Sequence, residues 1–205
     1  VFASAKRAPV WVLERIRSVP GVVEVEARVV RDAQLSIPGV VPPMIARLIG
    51  QDFEHPGGMN RLTLKSGRWP APNARGEVVV NQRFLEARSL KLGDRMNVLL
   101  NGKLERVTLV GTALSPEYIF ATRGGGMPDD EWFAVLWIDA RTLAAAFNME
   151  GAFNSVSLRL LPNANAAPVL DRPDHILKPY GGVGAHERKD PVSNAFLDGE
   201  LTQLS

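Results

Sequence analysis

"SLKLGDRMNVLLNGKLERVTLVG", residues 89–111, reads as a short strand, a tight turn and then a β-hairpin. Asn101-Gly102 stands between two alternately apolar runs, and this pair suits a two-residue primed turn because both central positions of a type I′ turn need positive φ. So short a loop also sets the register. Leu99 should oppose Leu104, Asn97 Arg106 and Arg95 Thr108; on the other face Met96 should oppose Val107 and Val98 should oppose Glu105. One face is then mostly apolar and the other polar. A lone two-stranded hairpin is marginal in water, so this ribbon must lie against a larger body.

Composition allows such a body. The chain has 205 residues, 45% apolar and 22% charged, enough to bury one large core or two smaller ones. Its formal net charge of +2 gives little support to nucleic-acid binding, and its Arg and Lys are scattered among acids rather than gathered in a stripe. With no cysteine, disulfide scaffolds and thiolate metal sites are excluded, and either redox compartment is compatible. No stretch approaches the roughly 20 apolar residues of a membrane-spanning helix. The first residue is Val1 rather than Met, so the sequence is expected to be an excised piece.

Working outward from the hairpin, "APVWVLERIRSVPGVVEVEARVV" (8–30) predicts a helix from Pro9 with Val12, Leu13, Ile16 and Val19 on one side. Pro20-Gly21 stops it, and Val23, Val25, Ala27 and Val29 then alternate with Glu24, Glu26 and Arg28 as in a half-buried strand. Met44–Ile49 predicts a strand, with Pro38, Pro42 and Pro43 holding the preceding residues in a loop or on an edge. Residues 52–60 are a loop by composition, 61–76 a short strand and a long turn, and 77–90 a strand running into a helix. Asn81 is the natural N-cap of that helix, with Phe84, Leu85 and Ala87 inward. After the break "RGGGMPDDEW" (123–132), "FAVLWIDARTLAAAFNM" (133–149) predicts a buried strand and a helix capped near Asp139; "FNSVSLRLLPN" (153–163) is another strand. Leu197, Leu201 and Leu204 fall at i, i+4 and i+7 in a final helix. There is no internal repeat and no heptad run.

Catalytic motifs fail on inspection. His186-Glu187 begins a zincin-like signature, but Asp190 stands where the second histidine should be, and His55 and His175 lie in unrelated contexts. "YGGVGAHE" has Glu187 where a dinucleotide fingerprint needs glycine; "RGGGMP" lacks the lysine and hydroxyl of a phosphate loop; no serine sits in a Gly-x-Ser-x-Gly elbow. Asp129, Asp130 and Glu131 are consecutive, so their carboxylates diverge, and a solvated acidic turn is the simpler reading. No catalytic residue, metal ligand or cofactor is expected. Among the large aromatics, Trp11, Trp69, Trp132, Trp137, Phe120 and Tyr118, Trp137 belongs to a core and Trp69, in a turn-rich stretch, is expected to be an exposed contact together with Tyr118.

Several stretches taken together resemble the extracytoplasmic domain of an ABC transporter permease of the FtsX-like family, the MacB-like periplasmic core domain. They are residues 62–120, 133–160 and 179–201, and the Gly67-Arg68 turn, the Glu77-Val78-Val79-Val80 strand, the Gly93-Asp94 turn and Val110-Gly111 carry the likeness. The resemblance implies an α+β fold: a porter-like α/β subdomain from both chain ends, 1–50 and 127–192, with a strand-rich subdomain, 51–126, inserted between them. Residues 193–205 would be a terminal helix leading to a membrane segment outside this chain. It further implies a non-catalytic domain on the periplasmic or outer side of the inner membrane, coupling ATP-driven helix motion to cargo or partner binding. The implied partners are a cognate ABC ATPase, a second permease copy and an adaptor protein or a lipid, lipoprotein or peptide cargo, with no nucleic acid. The helices near Val1–Ser18 and Ser193–Ser205 would act as levers, with Val1, Phe2, Leu201 and Leu204 at the membrane-coupling ends. Two other readings remain: a secreted binding module for carbohydrate or peptide using Trp69 and Tyr118 as a platform, and a hydrolase using a carboxylate with His186.

Overall fold

The computed structural model describes residues 1–55, 58–118, 129–162 and 166–186. The N-terminal third contains β1 (Phe2–Pro9), α1 (Val12–Arg17), β2 (Val22–Arg28), β3 (Val30–Ser36), β4 (Met44–Gln51) and β5 (Thr63–Gly67). Next come β6 (Glu77–Asn81), α2 (Gln82–Ala87), β7 (Arg95–Leu100) and β8 (Lys103–Leu114). After the break follow β9 (Phe133–Asp139), α3 (Ala140–Ala146), β10 (Ala152–Leu160), α4 (Ala166–Leu177) and β11 (Ala185–His186). The fold is α+β, and these elements divide into two units.

Unit 1 draws on residues 1–27 and 151–186. Its sheet has the order β11-β1-β10-β2, with β1 antiparallel to both its neighbours. Each βαβ half, β1-α1-β2 and β10-α4-β11, has a strand of the other half between its own two strands; this is the split βαβ arrangement. Neither half can close the sheet alone. The core reflects this, since Ala3, Ala5, Ala8, Val12 and Ile16 from the first half pack with Phe153, Val156, Leu158 and Leu177 from the second. Helix α1 packs on α4.

Unit 2 draws on residues 28–118 and 129–150. Its strand order is β5-β8-β6-β9-β4-β3-β7, and β7 also pairs with β8, so β8, β6, β9, β4, β3 and β7 close into a barrel with β5 beside β8. Closure removes the open edges that a flat sheet would present. The register puts Leu35 opposite Met44, Ala46 opposite Ala134, Leu48 opposite Leu136, and Val80 opposite Leu136, all buried on the inner face. The hairpin contributes Met96, Val98, Val107 and Leu109 to that interior. Every residue of β9 is buried, because Ala134, Leu136 and Ile138 fill the barrel while Phe133, Val135 and Trp137 form a second cluster on the outside.

The hairpin forms in the expected register at all five pairs, with φ of +48° at Asn101 and +81° at Gly102. The strand expected just before it is instead a turn: Ser89 and Gly93 both take positive φ, and the Lys91 N–H donates to the Asp94 carboxylate at 2.8 Å. Other elements also differ from the sequence reading. Residues 2–9 are a strand, so the helix begins at Val12 rather than Pro9, and the first proposed lever is half strand. The units divide at 27/28 and 150/151, where the sequence suggested 50/51 and 126/127. The reason is hydrogen bonding: β3 pairs with β7, and β4 pairs with β9, which joins both segments to the barrel. Helix α4 forms in a segment with two prolines. Pro168 falls in the first turn, where its missing N–H has no intrahelical acceptor, whereas Pro173 breaks an interior bond that the burial of Leu177 and packing of Ile176 offset. The expected helix over 193–205 lies outside the described residues.

Candidate functional site

The outer face of β9 brings together the two aromatics expected to make contacts. Its cluster contains Ile49, Val79, Ala113, Phe133, Val135 and Trp137, with Phe53, Leu62, Trp69 and Tyr118 packed against it. Trp69 lies 5.5 Å from Phe53 between ring centroids, tilted by 30°, and Tyr118 meets Trp137 edge-on at 6.4 Å. Both are therefore partly buried.

Charged side chains surround Tyr118, with Glu117, Arg47 and Arg28 near enough to act on its hydroxyl. Burial, with the Glu117 charge next, pushes its phenol well above the ordinary value. Glu117 accepts from Arg28 Nη2 at 2.6 Å, with the two side chains 11% and 6% exposed. Arg47 grips Asp32 through two bonds of 2.8 and 2.9 Å and lies over the Phe133 ring at 5.5 Å; Asp32 raises its already high pKa.

The residues that carry the family likeness meet around the middle of β8. Gly67 pairs with Gly111, the Arg68 N–H donates to the Val110 carbonyl at 2.9 Å, and the Gly93 N–H donates to the Leu109 carbonyl at 2.7 Å. Arg68 holds Glu77 through a bidentate ion pair, and the Ala71 N–H donates to the same carboxylate at 2.9 Å. Arg68 first, then Ala71, lowers the Glu77 pKa to about 2. This constellation is a structural joint that ties β5 and β6 to β8.

At the hairpin tip, Leu99 and Leu104 face each other on the outer side, 37% and 63% exposed. At the chain start, the Val1 amine donates to the Leu158 carbonyl at 3.2 Å, and Phe2 lies opposite Ser157 on β10 and His186 on β11. Leu201 and Leu204 lie outside the described residues, as does Phe120. His55 is exposed and bonded to Asp52, whose carboxyl is lowered chiefly by the His55 backbone N–H; the His175 ring bonds the Asp171 carbonyl at 2.7 Å. Among the described residues no three His, Asp or Glu gather as a metal site. The acidic turn is tied into the fold: Asp129 accepts from the Trp132 N–H, and Arg88 bonds the Glu131 carbonyl while lying 4.5 Å from the Trp132 ring.

Trp11, not Trp69, is the most exposed tryptophan described, at 58%, with Tyr180 edge-on at 6.3 Å. The signal was present, since Trp11 precedes the first turn of α1 while Val12 and Ile16 define the buried side.

No family model matches the sequence and no curated protein matches it. Solved structures do. The extracellular domain of the noncanonic ABC-type transporter YknZ from Gram-positive bacteria matches over 88% of this chain and 90% of its own, with a TM-score of 0.53 at 13% identity. The periplasmic region of MacB from Actinobacillus actinomycetemcomitans matches over 100% of this chain and 92% of its own, with a TM-score of 0.50 at 11% identity. At such identities the likeness is one of fold, and the family expectation agrees with it on the fold.

Proposed function

We propose that this chain, which has the fold of ABC transporter extracytoplasmic domains, is the outer domain of a permease and couples motion of membrane helices to the binding or release of a cargo or partner. The observation that carries the reading is the pairing of Phe2 with His186 across β1 and β11. The start of β1 and the end of β11 thereby lie side by side in one sheet, which suits a domain held between two membrane helices. The fold likeness supports the same reading.

In this proposal the domain acts mechanically, without a reactive side chain. ATP hydrolysis takes place on a cognate ATPase at the cytoplasmic side of the membrane, and a second permease copy supplies the facing surface. The input element at the N-terminus is β1, which is hydrogen-bonded to β10 and β11 and therefore moves with the whole unit 1 sheet. Leu201 and Leu204 would carry the second connection toward the membrane. An adaptor protein, or a lipid, lipoprotein or peptide cargo, would meet unit 2, with the Trp69 side of the outer cluster and the Leu99–Leu104 tip as its contacts.

The test uses the native gene. It should encode an apolar span of about 20 residues on each side of this domain, and protease added outside intact spheroplasts should cleave the domain. A gene with no such flanking spans, or a domain protected from external protease, sinks the reading.

A further inference from the structure

We propose that Asn101, at the tip of the β7–β8 hairpin, is a self-modifying site: its side chain deamidates through attack by the Gly102 nitrogen, and the isoaspartate that results opens the tip. This inference does not depend on the transporter reading.

Of the chain's asparagines only Asn101 precedes glycine, and both residues are exposed. The space beside Gly102 is open, since even an added Cβ would meet nothing within 4 Å, and glycine carries no side chain to hinder attack. In the reaction the Gly102 nitrogen gives its proton to solvent and bonds to Asn101 Cγ; the Cγ–Nδ2 bond breaks, and ammonia leaves with a proton taken from water. A second water then opens the five-membered succinimide. Cleavage at Cγ gives an ordinary aspartate, whereas cleavage at the main-chain carbonyl gives isoaspartate, in which the former side-chain Cβ has become part of the main chain. No oxidant or reductant is needed, and either product adds one negative charge beside Lys103.

The turn sets the pace of this chemistry. With φ of +48° and +81°, Asn101 and Gly102 form a type I′ turn, whose first central ψ is about +30°. At that ψ the Gly102 nitrogen lies on the far side of the Cα–C bond from the Asn101 Cβ, so Cγ is out of its reach. Ring closure therefore waits for the tip to open. Opening is local: Leu99 and Leu104, the pair above the turn, are exposed, whereas Met96, Val98 and Val107 beneath them are buried in the barrel. A two-residue loop has no room for an extra main-chain atom. Isoaspartate therefore breaks the Leu100–Lys103 and Leu99–Leu104 pairings, and the damage stops at Val98. Ordinary aspartate suits the same turn position and keeps both pairings.

The experiment incubates the full chain at neutral pH, in buffer and in urea, and follows it by peptide mapping that separates aspartyl from isoaspartyl peptides. Deamidation should concentrate at Asn101 and run at least threefold faster in urea, where the turn is lost. Amide hydrogen exchange on the isoaspartyl fraction should show protection reduced at least tenfold over residues 99–104, with β4 and β9 unchanged. Freshly purified Asn101→Asp carries the added charge on an ordinary backbone, and its tip should exchange within about twofold of the parent. Deamidation with no preference for Asn101, the same rate in urea as in buffer, or an isoaspartyl tip that exchanges like the parent overturns the proposal. Equal loss of protection in Asn101→Asp also overturns it, because charge rather than the lengthened backbone would then open the tip.

Discussion

Gly67 and Gly102 both have positive φ, yet their surroundings give them different sensitivities. At Gly102 a Cβ would meet nothing within 4 Å, so Gly102→Ala should cost only the left-handed backbone term, about 1–2 kcal/mol. At Gly67 the same Cβ would stand 2.3 Å from the Val110 carbonyl oxygen, so Gly67→Ala must also separate β5 from β8. Urea denaturation should show Gly67→Ala as the more damaging change, at about 3 kcal/mol or more. Glu77 gives a pH signature. Its folded pKa of about 2 lies below the ordinary 4.5, so its contribution is complete above the ordinary value and is lost as pH falls from there toward 2. Parent stability minus that of Glu77→Gln, followed by urea midpoints between pH 6 and 2, should shrink across that window. Asn81 shows why a residue's role can be misread from sequence. It occupies the N-cap position of α2, but its side chain makes no cap; it accepts the buried Val135 N–H at 2.9 Å. Asn81→Ala should therefore cost about 2 kcal/mol as an orphaned buried donor, and the loss should appear as faster amide exchange at Val135. Asp139, read by the same rule, does cap its helix, through the Thr142 N–H at 2.9 Å.

Elements defined by local chemistry were legible in advance. The hairpin register follows from a two-residue loop and a period of two, and both operate within about twenty residues. A direct check compares its two faces: Val107→Asp places a charge in the barrel and should unfold unit 2, whereas Leu104→Asp, at the exposed tip, should change stability by less than about 0.5 kcal/mol. Thermal melts of both variants, followed by near-UV dichroism, distinguish the two outcomes. Strand β1 was not legible because "FASAKRAP" has three small alanines where larger apolar residues would signal a strand, and its pairing partners lie some 150 residues away. Helix α4 was hidden by its prolines, and β3 by the polar outer face it presents, with Asp32 paired to Arg47. Residue Ala87, expected inward on α2, is exposed because that helix ends after Phe84 has reached the core.

At the scale of the molecule, both chain ends build one unit and the middle builds the other. Unit 1 should survive loss of unit 2, because β2 and β10 are neighbours: the Leu161 N–H donates to the Gly21 carbonyl at 2.9 Å and Arg159 reaches Glu24 at 2.7 Å. Replacing residues 28–150 with a short Gly/Ser linker should leave a cooperatively unfolding protein with dispersed amide resonances; an unfolded product would show that unit 1 needs the barrel to fold. The contact aromatics were only half legible for the same long-range reason. That Trp69 and Tyr118 share a neighbourhood is visible only once β4, β6, β8 and β9 are assembled, and assembly packs both, partly buried, against one outer cluster. By itself the sequence determined the hairpin with its register, the buried strand at Phe133–Asp139 and its helix cap, and the failure of each catalytic motif. Each depends on residues close together in the chain, where backbone geometry and side-chain period act directly. Tertiary structure alone decided where the units divide, that the strands close into a barrel, and which polar groups face one another in its wall. Those outcomes depend on hydrogen bonds and buried charges between residues as far apart as Arg28 and Glu117, whose meeting no local period can encode.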